Sequence, residues 1–280
     1  MSQQVTYQTK HVCRLHVVTE IIRATLLIVM FTTVVLIADT IIMLRPYKRL
    51  SKVYDQGWDD FSKQYIDLID EIFSERSVTE ARILDIACGT GTLAIEFAKH
   101  GHVVHGIDSS PEMIRLARSK SAGLLNLSFD IQDMVQLNID GKFDLVTCTY
   151  DSINYIRELS DLRKILLQVS SVLGEGGLFV FDSNTEHLYL NHLDEIQERE
   201  LNGELIIQHC SYDSVHKEAT TAFSFSDGSY EIHRQRPYDH NELAPLLNNA
   251  SLKTIYLYSW FSRLPYSSNT PKIFCVTEKQ

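Results

Sequence analysis

The feature that most limits the fold of this 280-residue chain is an alternation of short apolar strands and amphipathic helices between residues 82 and 182. Arg82–Ala87 (RILDIA) reads as a buried strand, and Thr92–His100 as a helix that stops before Gly101. His102–Ile107 is a second strand, and Pro111–Lys120 is a helix with Ser109 and Ser110 ahead of it as caps. Leu127–Ile131 and Phe143–Thr149 are strands separated by an Asp140-Gly141 turn. Ser160–Leu173 is a helix closed by Gly174, Gly176 and Gly177, and Leu178–Asp182 is a fifth strand. Such alternation predicts βαβ units: a parallel sheet with helices on both faces. Right-handed crossovers line up the strand C-termini along one edge, and ligands of such sheets bind there.

The flanks differ. Residues 47–75 carry helical periodicity through Leu50, Val53, Tyr54, Phe61, Tyr65, Leu68, Ile69, Ile72 and Phe73. Beyond 182, Leu205–Tyr212, Ala219–Phe225 and Tyr230–Gln235 read as antiparallel strands, with Asp227-Gly228 as a hairpin turn. Asn241–Asn249 is helical, and Leu252–Phe261 and Lys272–Thr277 are strands. The expected fold is α/β: a Rossmann-like, doubly wound, mostly parallel seven-stranded sheet with an antiparallel β insertion. Its parts are an extension (1–45), a ligand-binding core (46–182), a β-rich insertion or substrate lid (183–238) and a return to the core sheet (239–280).

Residues 24–44 (ATLLIVMFTTVVLIADTIIML) contain a single charge, Asp39. As a helix the run is long enough to cross a bilayer. The denser basic cluster (Arg45, Lys48, Arg49, Lys52) follows it, so a span would leave the C-terminal body in the cytoplasm. Two other readings stay open: a buried core element, or a leader ahead of a start at Met43. A cleaved signal peptide fits less well, because 23 residues precede the run and no A-x-A site follows.

The net charge of −10 is uneven: residues 1–52 hold seven basic and two acidic residues, and the rest is strongly acidic. An acidic body repels polyphosphate, which argues against DNA or RNA as main partner. The cysteines (Cys13, Cys88, Cys148, Cys210, Cys275) are scattered and odd in number, as expected in a reducing compartment. Cys88 and Cys148 read as small buried fillers. His100, His102 and His105 read as surface or packing residues, and no metal site is expected.

Ile83–Thr92 (ILDIACGTGT) is a strand that runs into a glycine-rich turn and opens a helix. Gly89 and Gly91 let the backbone bend sharply and a ligand lie against bare peptide. Asp108 ends the next strand, 19 residues after Gly89, where a carboxylate accepts from both hydroxyls of a ribose. Gly89, Gly91 and Ala94 also satisfy G-x-G-x-x-A, so a dinucleotide fits this outline. Asp85 discriminates. A carboxylate beside the loop opposes a pyrophosphate but suits a ligand with an ammonium and a sulfonium, which is S-adenosylmethionine. Asp85 as a turn acid, Asp108 as a helix N-terminal acid and Asp133 as an exposed loop acid are the plainer alternatives.

D-I-A-C-G-T-G resembles the first motif of class I S-adenosylmethionine-dependent methyltransferases. The resemblance continues through Val104–Ile114 (ribose-binding strand and helix), Gln132–Met134 (adenine side), Phe143–Tyr155 (fourth strand and substrate-side loop) and Leu173–Asp182 (turn and fifth strand). It covers about residues 47–280, and the apolar run lies outside it. A subgroup with a β-rich insertion is similar at His233–Tyr238 (HRQRPY). The resemblance implies Asp85 near the methionine ammonium, Ala87, Gly89 and Gly91 along methionine and ribose, and Asp108 on the ribose hydroxyls. It also implies Ser109 or Met113 beside the adenine, Asp133 and Met134 on its amino edge, and Thr149 and Tyr150 facing the sulfonium.

Methyl transfer is an in-line displacement that needs alignment and desolvation. An oxygen acceptor also needs a base, for which Asp151, Tyr155 and His233 are the candidates. Tyr54 and Trp58 are candidate substrate-side residues that, with Tyr47, close over the cofactor or simply pack. Arg236 is a candidate substrate residue, or one of several charged gatekeepers on a strand edge. The aromatic insertion (Tyr212, Phe223, Phe225, Tyr230) points to a partly apolar small molecule, and a membrane-borne one if the span is real. Competing functions are an NAD-dependent oxidoreductase and a non-catalytic, membrane-tethered binding module.

Overall fold

The computed structural model describes residues 42–58, 62–260 and 264–280. Phe61, Phe261 and residues 24–41 of the apolar run lie outside them. The last three residues of that run form a short strand, β1 (Ile42–Leu44), which corrects the expectation of one helix over 24–44. No described helix is long and apolar enough to cross a membrane. Leu44–Ser226 and Tyr230–Gln280 form one compact unit; the described residues of a second are Ile42, Met43 and Asp227–Ser229.

Within the large unit the main sheet is built from β2 (Arg82–Ile86), β3 (Val103–Asp108), β4 (Leu127–Ile131), β5 (Phe143–Cys148), β6 (Leu173–Asn184), β11 (Leu252–Ser259), β12 (Leu264–Pro265) and β13 (Lys272–Lys279). Their order is β12-β11-β13-β6-β5-β2-β3-β4. β6, β5, β2, β3 and β4 are parallel, β13 runs antiparallel to β6, and β11 antiparallel to β13. The expected seven strands are thus present, lengthened by the two-residue β12. β2 leads to β3 and β4 on one side, and the chain then returns to β5 on the other. That reversal opens a crevice at the C-terminal ends of β2 and β5.

Side chains alternate across this sheet. Leu84, Ile86, Phe179, Phe181, Ile273 and Cys275 fill one layer with helices α5 (Leu159–Val172) and α7 (His240–Asn249). Ile83, Val104, Leu178, Val180, Phe274 and Val276 fill the other with α2 (Ser62–Glu75), α3 (Thr92–Lys99) and α4 (Pro111–Lys120). Ser110 caps α4 by accepting from Met113 N at 3.3 Å. β6 begins at Leu173 rather than Leu178, because the Gly174–Gly177 stretch is itself extended.

The expected β insertion contains a helix and a strand that periodicity missed, α6 (Glu186–Asn191) and β7 (Ile196–Leu201). β7 (IQEREL) buries no residue, so it carries no apolar stripe to read. With β8 (Glu204–Asp213), β9 (Glu218–Phe225) and β10 (Ser229–Gln235) it forms an antiparallel sheet in the order β10-β9-β8-β7. Ile206, Phe223 and Phe225 of this sheet pack with Leu50 and Val53, and with Tyr47, Tyr54 and Trp58 around the short helix α1 (Tyr54–Gly57).

Candidate active site

The crevice holds a cavity of about 340 Å³. Asp85, Ala87, Gly89, Asp108, Ser109, Met113, Met134, Thr149 and Tyr150 line it, as do Tyr54 and Tyr155. β2 carries Asp85 to the sheet centre, opposite Thr147 of β5. The residue is 1% exposed; Thr147 Oγ1 donates to its Oδ1 at 2.7 Å, and its Oδ2 is buried with no hydrogen-bond partner among the described residues. Burial pushes its carboxyl up to about 7, against the Thr147 hydrogen bond, and Asp108 adds to the rise. A lone buried oxygen of this kind calls for a donor, and a cation satisfies it best.

Asp108 ends β3 and organises the turn. Its Oδ2 accepts from Gly89 N at 3.0 Å and its Oδ1 from Ser110 N at 2.7 Å. Each oxygen keeps a lone pair for a ligand hydroxyl. Burial raises its carboxyl, and the two backbone donors oppose that. Ala87 (φ 55°), Gly89 (φ 56°), Tyr150 (φ 57°) and Asp151 (φ 50°) are all left-handed at the two strand ends. Non-glycine residues are held there at a cost of about 1–3 kcal/mol each, and such strain gathers at functional sites.

The two glycines of the turn divide the work. A Cβ on Gly89 would meet nothing within 4 Å, so its bare backbone faces open space. A Cβ on Gly91 would lie 2.7 Å from the Phe129 ring and 2.9 Å from Ala117 Cβ. Gly91 therefore packs the turn against the protein and is not among the residues that line the cavity. Asp133 is also off the wall: it is exposed, and its Oδ1 accepts from Val135 N at 2.9 Å as a cap.

A second cavity, also about 340 Å³, adjoins the first; Tyr47, Tyr54, Tyr150 and Tyr155 line both. Trp58, Asp151 and His233 belong to it. Tyr155 OH lies 2.7 Å from His233 Nδ1 and 2.6 Å from Tyr47 OH. Burial raises the Tyr47 and Tyr155 phenols well above their usual range, so both stay protonated. Asp151 accepts from Gln235 Nε2 at 2.5 Å and from Lys272 Nζ at 2.9 Å. Lys272 also pairs with Asp182 at 2.7 Å. Burial works against its charge, but the two carboxylates outweigh burial and its ammonium is held above the normal range. A carboxylate engaged on both oxygens is a poor base, so Asp151 is better suited to hold the floor than to take a proton.

Arg236 lines neither cavity. Its guanidinium pairs with Glu242 at 2.8 Å and lies 4.6 Å from the Tyr238 ring centroid. Residues that sequence reasoning missed include Arg45, Thr90 and Ser152 in the first cavity, and Tyr189, Gln235 and Lys272 in the second. Strand alternation would have put Gln235 on the face of His233, and Thr90 and Ser152 lie inside the motifs at Ile83–Thr92 and Phe143–Tyr155; Arg45, Tyr189 and Lys272 carry no local signal. Burial raises the Cys88 and Cys148 thiols, which fits filler roles. His102 is buried and accepts from Ala81 N at 3.2 Å, while His105 pairs with Ser128 Oγ at 2.8 Å.

A methyltransferase-domain family profile matches residues 83–177. A Geobacillus sp. (strain WCH70) protein with a provisional methyltransferase name is 31% identical over 212 residues, 71% of this chain and 84% of that protein. The chain belongs to the class I S-adenosylmethionine-dependent methyltransferases. The crystal structure of such a methyltransferase from Clostridium acetobutylicum superposes with a TM-score of 0.74 at 28% identity, covering 83% of this chain and 98% of the other. The S-adenosylmethionine-bound amino pentose methyltransferase CalS10 of Micromonospora echinaspora shares the fold, with a TM-score of 0.62 at 19% identity, covering 81% and 97%. S-adenosylmethionine is the methyl donor of this methyltransferase, and the residues fit it: the unpartnered Asp85 oxygen, the bare Gly89 cradle and the free lone pairs of Asp108. These relatives support neither the oxidoreductase nor the silent binding module.

Proposed function

We propose that this methyltransferase moves a methyl group onto an oxygen or nitrogen of a small molecule held in the second cavity. The observation that carries the reading is the pair of adjoining cavities sharing the wall of Tyr47, Tyr54, Tyr150 and Tyr155. Bound in the first cavity, S-adenosylmethionine supplies an electrophilic methyl on a sulfonium. Asp85 holds the ammonium, Asp108 the ribose hydroxyls, Met113 and Ser109 flank the adenine, and Met134 meets its edge. Asp133 has a second oxygen free to accept from the adenine amino group. Thr149 and Tyr150 border the sulfonium.

The acceptor side mixes aromatic rings (Tyr54, Trp58, Tyr189, Phe223) with hydrogen-bonding side chains (Gln197, Gln208, Gln235, Thr221). That mixture suits a small molecule with polar substituents and an apolar face. Tyr155, backed by His233, receives the acceptor proton. Residues 183–238 act as the substrate-side insertion. The amino pentose neighbour supports a small-molecule acceptor at the level of fold.

The test is transfer of a labelled methyl group from S-adenosylmethionine to a panel of small hydroxyl and amine compounds. Label in a low-molecular-weight product supports the reading. Label found only in added protein or nucleic acid overturns it.

A further inference from the structure

We infer that Glu231 is a positioning residue that sets the tautomer of His233 and so lets that ring drain the acceptor proton; this rests on the acceptor-side reading above. Glu231 is 0% exposed and stands two residues before His233 on β10, on the same face. It lines neither cavity. Its Oε2 accepts from Tyr47 N at 2.8 Å and lies 3.2 Å from His233 Nε2. Its Oε1 accepts from Leu50 N at 3.1 Å and from Arg49 N.

Three of these four contacts come from backbone N–H groups, which can only donate. With Glu231 as a carboxylate, which has no proton to give, the fourth is also a donation, from His233 Nε2–H. That leaves the lone pair on Nδ1, which accepts from Tyr155 O–H at 2.7 Å. With its proton so used, Tyr155 accepts from Tyr47 across 2.6 Å. One buried carboxylate thus orients the whole chain, and the lone pairs left free are on the phenol oxygens that border both cavities. In the reaction the acceptor lone pair forms the bond to the methyl carbon, and the carbon–sulfur pair returns to sulfur. The acceptor proton passes to the Tyr155 oxygen as the Tyr155 proton moves to His233 Nδ1. The imidazolium so formed faces Glu231.

The opposite tautomer would present an N–H to Tyr155 and could take no proton. The titratable groups against His233 are Glu231 on its own strand, Tyr155 from the 152–155 turn and Tyr47 from the N-terminal segment. Asp151 is the further charge felt by both phenols.

Nitrogen-15 shifts of histidine-labelled protein with S-adenosylhomocysteine bound, at neutral pH, read the tautomer without any acceptor; His233→Asn assigns the signal. The parent should show a protonated Nε2 and an unprotonated Nδ1. In Glu231→Gln the amide N–H₂ settles toward His233, because that side opposes one backbone donor and the other side opposes two. The tautomer should then reverse, with the affinity for S-adenosylhomocysteine kept within about twofold. With an acceptor in hand, kcat should fall about 100-fold, while the donor KM stays put. If Glu231→Gln does not fold, Tyr155→Phe must leave Nε2 protonated. A parent with protonated Nδ1, an unchanged tautomer in Glu231→Gln, or a tautomer that follows Tyr155 instead overturns the inference. Label transfer and donor calorimetry, not the tautomer, decide the reading of function.

Discussion

The first cavity draws most of its polar groups from strand ends and turns between Asp85 and Ser152, whereas the second gathers its groups from several separated stretches between Tyr47 and Lys272. In the first, backbone and carboxylate are arranged by the sheet itself: Asp108 fastens Gly89 and Ser110, and Thr147 holds Asp85 across the register of β2 and β5. In the second, side chains hold side chains, as in the chain from Glu231 to Tyr47. A site made by the sheet is fixed once the sheet forms. A site made by packed side chains can change its chemistry by single substitutions without touching the fold.

This contrast can be broken at the donor end first. Asp108→Ala removes two backbone hydrogen bonds and the ribose acceptor; hydrogen bonds to a charged group are worth about 1.5–3 kcal/mol each, so S-adenosylhomocysteine affinity by calorimetry should drop at least about 100-fold. Equal binding heats for parent and variant would refute the site. Asp85→Asn should weaken the same ligand about tenfold or more. Because a bound ammonium favours the carboxylate, parent affinity should fall as pH drops below about 7, and Asp85→Asn should lose that dependence. The sign is reversed for stability without ligand. The folded carboxyl sits above its unfolded value of 3.8, so stability declines as pH rises from there to about 7. Asp85→Asn should therefore raise the Tm of the ligand-free protein at alkaline pH.

On the acceptor side, Tyr155→Phe should cut turnover by about 100-fold, a larger effect than its effect on donor affinity by calorimetry. The glycines sharpen the contrast within the turn. Gly91→Ala meets Phe129 and Ala117 at a positive φ and should cost about 1–3 kcal/mol of stability by thermal melts, with binding per folded molecule retained. Gly89→Ala meets no protein atom and should instead lose donor affinity. Arg236→Ala, whose partner Glu242 is partly exposed, should lose about 1 kcal/mol or less and leave acceptor KM alone.

The same contrast explains what could be read beforehand. Strands β2 to β5 and helices α3 to α5 were legible within a residue or two, because each buries a periodic apolar face. Asp85, Gly89 and Asp108 were legible because their spacing along one βαβ unit fixes their spacing in space. β7 was not, since it buries nothing, and Gly174–Gly177 read as a loop although it is extended. The structural duties of two motif residues were not legible either: Asp133 caps a turn and Gly91 fits under Phe129. Glu231 was not legible because three of its four partners, Tyr47, Arg49 and Leu50, lie about 180 residues away in the chain.

The unmatched Asp85 oxygen carries a further consequence. Without its donor the protein keeps a buried acid that is most unfavourable when ionised, and any ligand that meets it stabilises the native state by mass action. Resistance to proteolysis, and hence steady-state abundance, should follow the supply of methyl donor. A cell short of S-adenosylmethionine would then lose copies of the enzyme as well as its turnover.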